Sequence, residues 1–346
     1  MEDGMDWRCP RRSTTLVLLV AAALVAAALW PPAGVAQAPA KLKLGMPTTP
    51  PNLVHITPWV ALEQGFFKEE GLDVEIQTFE GGVYVTRNVV SGAIDAGGAV
   101  GASTAVAVAR KSGVKAIYGL APRFASAMTV RSNIKTVQDL KGKKIGVQEV
   151  GGFADILSRM VLRSAGIKPE EVTFVPIASA DVPPLLAGAI DTAILHMDQL
   201  VTARRKDPSL HPLVKFWELE PNQLYLLMIA HEKKIQADPA RYQALVRALA
   251  RANRFIYANK ARTVEVAAKH GKIPADIAAE AYDELVRGKL WAQNDGLARD
   301  KVEYTINRMV QVGNIKKEER PTHEDYVAVS IVQEALKGLS RVPEFD

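Results

Sequence analysis

Two histidines in this 346-residue chain lie where ligand-binding side chains are expected in a protein that alternates strands and helices. His55 is in the loop after the first predicted strand, and His196 follows a later strand, two residues before Asp198. In open α/β sheets, ligands bind beyond the carboxyl ends of the strands. We therefore expect these three residues to bind a solute, with an ordinary loop position as the alternative for each histidine.

The surrounding sequence argues against metal or hydrolase chemistry. None of the six histidines stands in an H-x-x-H or H-E-x-x-H arrangement, the spacings that place two imidazoles on one metal ion. No G-x-S-x-G segment marks a serine nucleophile. The sequence thus predicts no metal site and no bound cofactor, and no local motif supports hydrolase chemistry.

Glycine-rich turns in front of helices are the second kind of candidate. The run 92–101 is not a Walker loop, because Ala102 stands where the lysine is required, and it contains no G-x-G-x-x-G fingerprint. Free N–H groups at a helix N-terminus can still bind an anion or a polar ligand atom. We expect this at 98–103 and at 151–153, with tight packing of loop on helix as the alternative.

Three larger side chains stand beside these loops. Trp59 and Phe153 begin predicted helices and can stack on a planar ligand, although core packing is expected for at least one of them. Arg123 lies where the chain is predicted to cross between two lobes. Its guanidinium either clamps a carboxylate or sulfonate with two hydrogen bonds or is a solvated hinge residue.

A short internal repeat would position these loops. Gly92-Ala93-Ile94-Asp95 returns 96 residues later as Gly188-Ala189-Ile190-Asp191. A glycine after an apolar helix end predicts a C-cap and a turn into a strand. Two copies in matching surroundings predict two similar lobes. We expect the strand at Ile94 to end at the cleft, with 98–103 facing the predicted histidine site.

Strands and helices alternate through both halves of the chain, which predicts mainly parallel sheets covered on both faces. A strand at 224–230 is expected to return the chain to the first lobe, and helices from Asp238 onward to pack on it. The predicted strands are 41–45, 72–77, 114–120, 127–130, 145–147, 172–177 and 192–195. The predicted helices are 59–67, one that runs from the turn at 80–82 to residue 91, 102–111, 154–165, one that ends before Gly188, 238–258, 262–270, 276–287, 299–312 and 323–336.

Residues 1–38 are predicted to be a signal peptide. Three arginines precede the apolar run 16–29, which is shorter than the roughly 20 residues that span a bilayer, so an anchor is the weaker alternative. Cleavage after Ala36 fits better than after Ala38. Cys9 is the only cysteine, so the exported chain would contain no disulfide, thiolate metal site or cysteine nucleophile.

Composition sets broad limits on the partners. The chain is 48% hydrophobic and 23% charged with a net charge of +5, as in ordinary globular proteins of about two domains. No basic patch with interleaved aromatic residues is present, so nucleic acid is not an expected partner.

Four sets of residues together resemble a known family: Pro51–His55, Val60–Glu75, the two Gly-Ala-Ile-Asp units and Asp139–Val147. They are similar to the periplasmic solute-binding proteins of the nitrate/sulfonate/taurine type, a group that shares its fold with the thiamine-pyrimidine (NMT1/THI5-like) proteins. The similarity covers most of the chain from residue 41 to about 260. Its motifs are specific for the fold and poorly specific for the ligand.

The resemblance implies a type II periplasmic binding protein fold: two Rossmann-like α/β lobes joined by a two-stranded hinge, with extra C-terminal helices. Lobe 1 would comprise 39–123 and 226–346, and lobe 2 the inserted 124–225. The implied protein is a monomeric periplasmic receptor that closes on a small organic solute and delivers it to an ABC permease in the inner membrane. Sulfonates, carboxylates and pyrimidine-like molecules are the solutes left open.

Two other functions stay open under the resemblance. One is a ligand-sensing periplasmic subunit. The other is an enzyme like the pyrimidine synthases, which is disfavoured because that group's cysteine-rich motif is missing. The spacing P-N-x-x-H leans toward the pyrimidine-binding branch, but 46–50 lacks the Asp-Trp pair common there. The predicted solute-binding residues are Thr48, Asn52, His55, Trp59, Gly81, Gly82, Gly98, Gly101, Ser103, Arg123, Gln148, Gly151, Gly152, Phe153, His196 and Asp198.

Overall fold

The computed structural model describes residues 1–2, 39–177 and 182–345. The predicted signal peptide and Cys9 lie outside these residues, apart from the first two positions. Among the described helices, none combines the length and the apolar character needed to cross a membrane.

Two five-stranded sheets form the framework. The first has the order β2-β1-β3-β10-β4 and the second the order β7-β6-β8-β5-β9. The strands are β1 (Ala40–Met46), β2 (Leu72–Thr78), β3 (Ala96–Val100), β4 (Val114–Ala121), β5 (Ser126–Val130), β6 (Lys144–Val147), β7 (Thr173–Pro176), β8 (Thr192–His196), β9 (His211–Lys215) and β10 (Leu226–His231). We call each sheet, with the elements that pack on it, lobe 1 and lobe 2.

Each sheet contains one strand that runs against the parallel set. In lobe 1, β10 is antiparallel to both β3 and β4, and in lobe 2, β5 is antiparallel to both β8 and β9. The other four strands of each sheet run in one direction, so the prediction of mainly parallel sheets is confirmed. The strand expected to return the chain to lobe 1 does so, inserted between β3 and β4.

The helices among the described residues cover the sheets. They are α1 (Thr57–Glu63), α2 (Phe66–Glu69), α3 (Gly82–Ser91), α4 (Gly101–Ala109), α5 (Phe153–Ser164), α6 (Val182–Leu186), α7 (Met197–Lys206), α8 (Phe216–Leu219), α9 (Glu232–Ala237), α10 (Pro239–Ala258), α11 (Lys260–Gly271), α12 (Ala275–Arg287), α13 (Arg299–Gln311), α14 (His323–Tyr326) and α15 (Val329–Leu336). Helix α10 begins as predicted, because the Asp238 side chain caps it by accepting from the Arg241 N–H.

Some predicted boundaries were wrong. The predicted helix 323–336 is broken, because Val327 pairs with Ala116 of β4 and the Ala328 N–H donates to the Ala116 carbonyl at 2.9 Å. The strand expected at Ile94 begins only at Ala96. Helix α7 and strand β9 were missed.

The internal repeat has the same structural role in both lobes. Gly92 and Gly188 follow helix ends with left-handed φ angles of 78° and 72°, which glycine adopts without steric cost. The Asp95 carboxylate then accepts a 2.8 Å hydrogen bond from the Lys43 N–H in β1. The aspartate of the second copy likewise accepts a 2.8 Å bond from the Lys144 N–H in β6.

The isoleucine of each copy packs its turn onto the sheet. A Cβ on Gly45 of β1 would lie 2.6 Å from Ile94 Cδ1, and a Cβ on Gly146 of β6 would lie 2.7 Å from Ile190 Cδ1. Both isoleucines are buried, and packed interiors do not accommodate contacts this short. The two lobes are therefore built alike around a glycine that the isoleucine requires.

Two chain segments connect the lobes side by side. One runs from β4 to β5, and the other runs from α8 to β10. The Tyr225 N–H in the second segment donates to the Pro122 carbonyl in the first at 3.1 Å, and its own carbonyl accepts from the Gly101 N–H at 2.7 Å. Tyr225 is thus fixed at the base of the cleft between the lobes.

Candidate functional site

His55 lies in lobe 1, in the loop that leaves β1, and its side chain is buried. Its Nδ1 is 3.3 Å from the Thr48 hydroxyl, and its Nε2 is 3.4 Å from the Tyr225 hydroxyl. The short helical turn that follows strand β1 therefore turns the imidazole toward the other lobe.

His196 occupies the matching place in lobe 2, at the carboxyl end of β8 and directly before α7. Its Nδ1 is 3.3 Å from the Ser126 hydroxyl, and its Nε2 is 3.4 Å from the Tyr225 hydroxyl. One phenol thus lies between two imidazoles, one from each lobe. Tyr225 can donate to one ring and accept from the other if their tautomers differ.

Aromatic rings surround this group. Phe153 at the start of α5 stacks on His196 with ring centroids 5.3 Å apart and planes at 14°. The same ring lies 5.0 Å from Tyr225, and Phe124 lies 5.3 Å from Tyr225. The two histidines and Tyr225 therefore lie among planar π systems with a few polar atoms, as is common in small-molecule sites.

Burial keeps the two imidazoles neutral. It holds the pKa of His55 well below its ordinary value, with a further lowering from His196, and it lowers the pKa of His196 to about 4. Burial also raises the pKa of the Tyr225 phenol well above its usual range. At neutral pH the three groups therefore offer uncharged donors and acceptors.

Asp198 joins the lobes beside the histidines. The Asn52 Nδ2 in lobe 1 lies 3.4 Å from the Asp198 Oδ2 in lobe 2. Both side chains are buried, and burial raises the pKa of Asp198 to about 6. This carboxyl group adds negative charge to the site above that pH.

Glu149 reaches across the cleft from the loop after β6. Its Oε1 accepts a 3.0 Å hydrogen bond from the Val83 N–H in the first turn of α3. Burial raises the pKa of this carboxyl group, and the bond to Val83 lowers it by a smaller amount. Glycines make room for the side chain, since a Cβ on Gly81 or Gly152 would lie within 2.5 Å of it.

The other backbone donors expected to bind an anion also have acceptors within the chain. The Gly101 N–H is bonded to the Tyr225 carbonyl. The Gly151 N–H donates to the Asp155 carboxylate at 2.9 Å. Hydroxyl groups of Ser103 and Thr104 turn back to the Val100 carbonyl. One N–H at each of three helix N-termini near the cleft therefore already has an acceptor within the chain.

These groups enclose a cavity of about 40 Å³, which we call the inner chamber. This volume accommodates a few water molecules and no organic solute, so the lobes must separate for a solute to enter. The lining residues are Pro47, Thr48, His55, Gly81, Gly82, Val100, Gln148, Glu149, Phe153, His196 and Tyr225.

The structure brings seven of the sixteen predicted site residues to this lining and places Asn52 and Asp198 beside it. Ser103 and Gly151 line a separate groove further out between the lobes. Sequence reasoning missed Tyr225 and Glu149. Tyr225 was detectable in principle, because it stands at the start of the strand predicted to return to lobe 1.

The remaining predicted residues lie elsewhere. Arg123 is exposed and lines a cavity of about 370 Å³ beside the crossing segments, with Trp217 and Arg287. Trp59 is buried and lies against His270, with ring centroids 6.3 Å apart. Gly98 packs against Met46. No group of three or more His, Cys, Asp or Glu side chains that could hold a metal ion occurs in the described ranges.

Two α/β lobes, each with one inserted antiparallel strand and joined by two crossing segments around a cleft, define the periplasmic-binding-protein class of fold. Three solved structures share it. One from Bordetella bronchiseptica RB50 matches with a TM-score of 0.75 at 21% identity, covering 86% of this chain and 97% of that one. The alkanesulfonate-binding protein SsuA from Xanthomonas axonopodis pv. citri, bound to MOPS, matches with a TM-score of 0.64 at 18% identity, covering 86% of this chain and 98% of that one. The nitrate-binding protein NrtA from Synechocystis PCC 6803 matches with a TM-score of 0.70 at 13% identity, covering 88% of this chain and 90% of that one.

Comparison of the sequence with family models shows which family the chain belongs to. A family model described as NMT1/THI5 like matches residues 52–262, more than half of the chain, so this chain belongs to the NMT1/THI5-like family. A candidate binding protein from Brucella abortus is 26% identical over 225 residues, covering 64% of this chain and 70% of that protein. A 4-amino-5-hydroxymethyl-2-methylpyrimidine phosphate synthase from Saccharomyces cerevisiae is 32% identical over 147 residues, covering 42% and 43%.

Proposed function

We propose that this protein is an extracytoplasmic solute-binding receptor of an ABC importer, located in the periplasm as a monomer. Its lobes close on a small neutral or cationic heteroaromatic solute and present it to the permease. The observation that carries the proposal is the Tyr225 hydroxyl held 3.4 Å from an imidazole of each lobe. The ring nitrogens of a heteroaromatic solute can form the hydrogen bonds that Tyr225 and the two imidazoles now form with one another. The solute ring can then lie between the aromatic rings of the wall.

The charge of the inner chamber supports this choice among the solutes that the sequence left open. Its lining carries a carboxylate at Glu149 and no arginine or lysine, and Asp198 lies next to it. One N–H at each of the three helix N-termini is already bonded to an acceptor of the chain. An anionic solute would therefore meet repulsion and few free donors, so we place sulfonates and carboxylates behind pyrimidine-like and imidazole-like molecules.

A thermal-shift screen of the purified protein tests this proposal, with pyrimidines, imidazoles, aliphatic sulfonates and aromatic carboxylates as probes. We expect heteroaromatic compounds to raise the melting temperature through binding to the folded state. Tyr225→Phe should weaken such a compound by about tenfold, while His211→Gln in β9, outside the chamber, leaves it unchanged. Stabilisation by sulfonates or carboxylates alone would contradict the proposed solute class.

A pyrimidine synthase-like enzyme is the second candidate, because of the similarity to the yeast enzyme. Cys9 is the only cysteine of the sequence, so a cysteine-rich active site has no residues to form it in the rest of the chain. Mass spectrometry after expression and long incubation of the purified protein should detect no pyrimidine phosphate formed by it. Formation of a pyrimidine phosphate that is lost in a His55→Ala variant would favour the enzyme instead.

A further inference from the structure

A large groove lies outside the inner chamber, between the lobes, with a volume of about 810 Å³. Lobe 1 supplies one wall through α3, α4 and the end of α13, and lobe 2 supplies the other through α5. Glu149 and the Gly81-Gly82 turn separate it from the inner chamber. We call this space the outer groove, and its size is within the range of small-molecule sites.

Four arginines line the outer groove: Arg87, Arg110, Arg159 and Arg163. Arg159 is paired with Asp155 at 2.7 Å, and Asp155 is the one acidic residue among the described residues of the lining. Arg163 donates to the Val312 carbonyl, which ties the lobes together. Arg87, Arg110 and Arg163 form no ion pair within the part of the chain that the structure describes, so the lining carries an excess of three positive charges. The Glu149 carboxyl group next to the groove interacts electrostatically with Arg87 and offsets part of this charge.

Apolar side chains fill the space between the arginines. Val83 and Val106 contribute from lobe 1, and Ile156 and Met160 from lobe 2. Val150 at the rim is 80% exposed, which leaves a large aliphatic group in water. A lining of this composition is suited to a molecule with an apolar body and an anionic head.

We propose that the outer groove binds an amphipathic organic anion, at a site separate from the inner chamber. Its head group would pair with Arg87 and Arg110 of lobe 1, and its apolar body would lie along α5 of lobe 2. Because the ligand touches both lobes only when they are together, it stabilises the closed arrangement. Binding of this ligand therefore raises the affinity of the inner chamber for its own solute. Binding of the solute raises the affinity of the groove for its ligand by the same factor.

Calorimetric titration with decane-1-sulfonate, below its micelle concentration, tests the site. We expect one saturable site, and at least about tenfold weaker binding by the Arg87→Gln/Arg110→Gln variant. A matched control, Arg204→Gln/Lys206→Gln, removes the same charge from exposed positions of α7 and should bind within about twofold of the unaltered protein. An equal loss in the control would overturn the proposal.

Two further probes separate the parts of the claim. Decyltrimethylammonium and inorganic sulfate should each bind at least about tenfold more weakly than decane-1-sulfonate, because the site requires both charge and apolar body. Equal binding of either one would overturn the proposal. Ala107→Trp should block the groove from its floor without changing its charge, and retained binding in that variant would likewise place the ligand elsewhere.

The inner chamber provides the remaining control. Saturating decane-1-sulfonate should leave a stabilising pyrimidine or imidazole bound in the inner chamber, whereas competitive displacement of that compound would place the anion in the chamber and overturn the groove site. The pyrimidine and imidazole probes of the thermal-shift screen differ from these compounds and test the inner chamber by themselves. Failure of one proposal is therefore distinguishable from failure of the other.

Discussion

The Glu149 carboxylate of lobe 2 caps helix α3 of lobe 1 through a 3.0 Å hydrogen bond from the Val83 N–H. An acceptor with negative charge at this place satisfies an otherwise unpaired donor and interacts favourably with the helix dipole. Since donor and acceptor belong to different lobes, this cap is made only while the cleft is closed. The bond to Val83 favours closure without any solute, while the burial that raises the pKa of Glu149 opposes it.

Removal of this cap should open the protein. Glu149→Ala should reduce the population ratio of closed to open forms by about tenfold, as expected for the loss of one charged cap of roughly 1.4 kcal/mol. Glu149→Gln keeps an acceptor oxygen and should retain more of the closed form. Small-angle scattering of the solute-free protein measures the change as a larger radius of gyration. Equal radii for the alanine variant and the unaltered protein would show that the cap does not hold the lobes together.

A rescue experiment tests the glycine contact of the same side chain. A Cβ on Gly152 would lie 2.4 Å from Glu149 Cγ, so Gly152→Ala should displace Glu149 and expand the protein as Glu149→Ala does. In the Glu149→Ala/Gly152→Ala variant the Cβ at position 152 no longer meets the Glu149 side chain. Gly152→Ala should therefore have little further effect once Glu149→Ala is present. The coupling free energy from this double-mutant cycle should be about 1 kcal/mol, measured by chemical denaturation. Strict additivity would contradict the contact.

The pH dependence of stability should reveal the opposed titrations of His196 and Asp198. The folded pKa of His196 is about 4, below its unfolded value of 6.5, so the unfolded chain takes up this proton first and stability falls as the pH drops through that interval. The folded pKa of Asp198 is about 6, above its unfolded value of 3.8, so the folded protein takes up that proton first and gains stability on acidification. Between about pH 6 and pH 4 the two effects offset each other.

Asp198→Asn removes the titration of Asp198 and leaves that of His196. The variant should be more stable than the unaltered protein at pH 7 and should lose stability more steeply between pH 6 and pH 4, by up to about 3 kcal/mol over the interval. Urea denaturation at a series of pH values measures both slopes. Parallel slopes would show that the Asp198 carboxyl does not hold its proton in the folded state.

The repeated aspartates should both be needed for stability, to different extents. Asp95→Ala and Asp191→Ala each remove a carboxylate that caps the N–H of a lysine in the neighbouring strand. Asp95 also pairs with the Lys234 ammonium at 2.7 Å. We expect losses of about 3 kcal/mol for Asp95→Ala and about 2 kcal/mol for Asp191→Ala. Asp73→Ala, at an exposed strand position, is the control. A similar loss of unfolding free energy in that variant would contradict the stabilising role of the two caps.

Much of the fold was predictable because local sequence and packing agree. In each copy of the repeat, the glycine is required by a left-handed turn, and the aspartate accepts a hydrogen bond from a backbone N–H of the neighbouring strand. The long amphipathic helices from Asp238 onward also follow from periodicity and capping. The fold class and the family were therefore correct, and the histidines at strand ends were predicted to lie at a site.

The rest of the site depends on contacts that local patterns do not encode. Arg123 was placed correctly along the chain, at a crossing between lobes, but its side chain faces away from the inner chamber. Glu149 resembles any exposed loop glutamate until the other lobe presents a helix N-terminus to it. The donors of 98–103 looked free because the carbonyl of Tyr225, more than a hundred residues later, could not be assigned to them.

The hydrogen bond between Tyr225 and Pro122 brings the two ends of the second sheet's chain segment to one place. A unit whose entrance and exit are adjacent can be removed or replaced without rearranging the strand order around it. Lobe 2 is therefore suited to transplantation: a chimera carrying that segment from a relative would keep the first sheet intact and change half of the chamber wall. Such exchange offers a simple route by which one scaffold acquires new solutes.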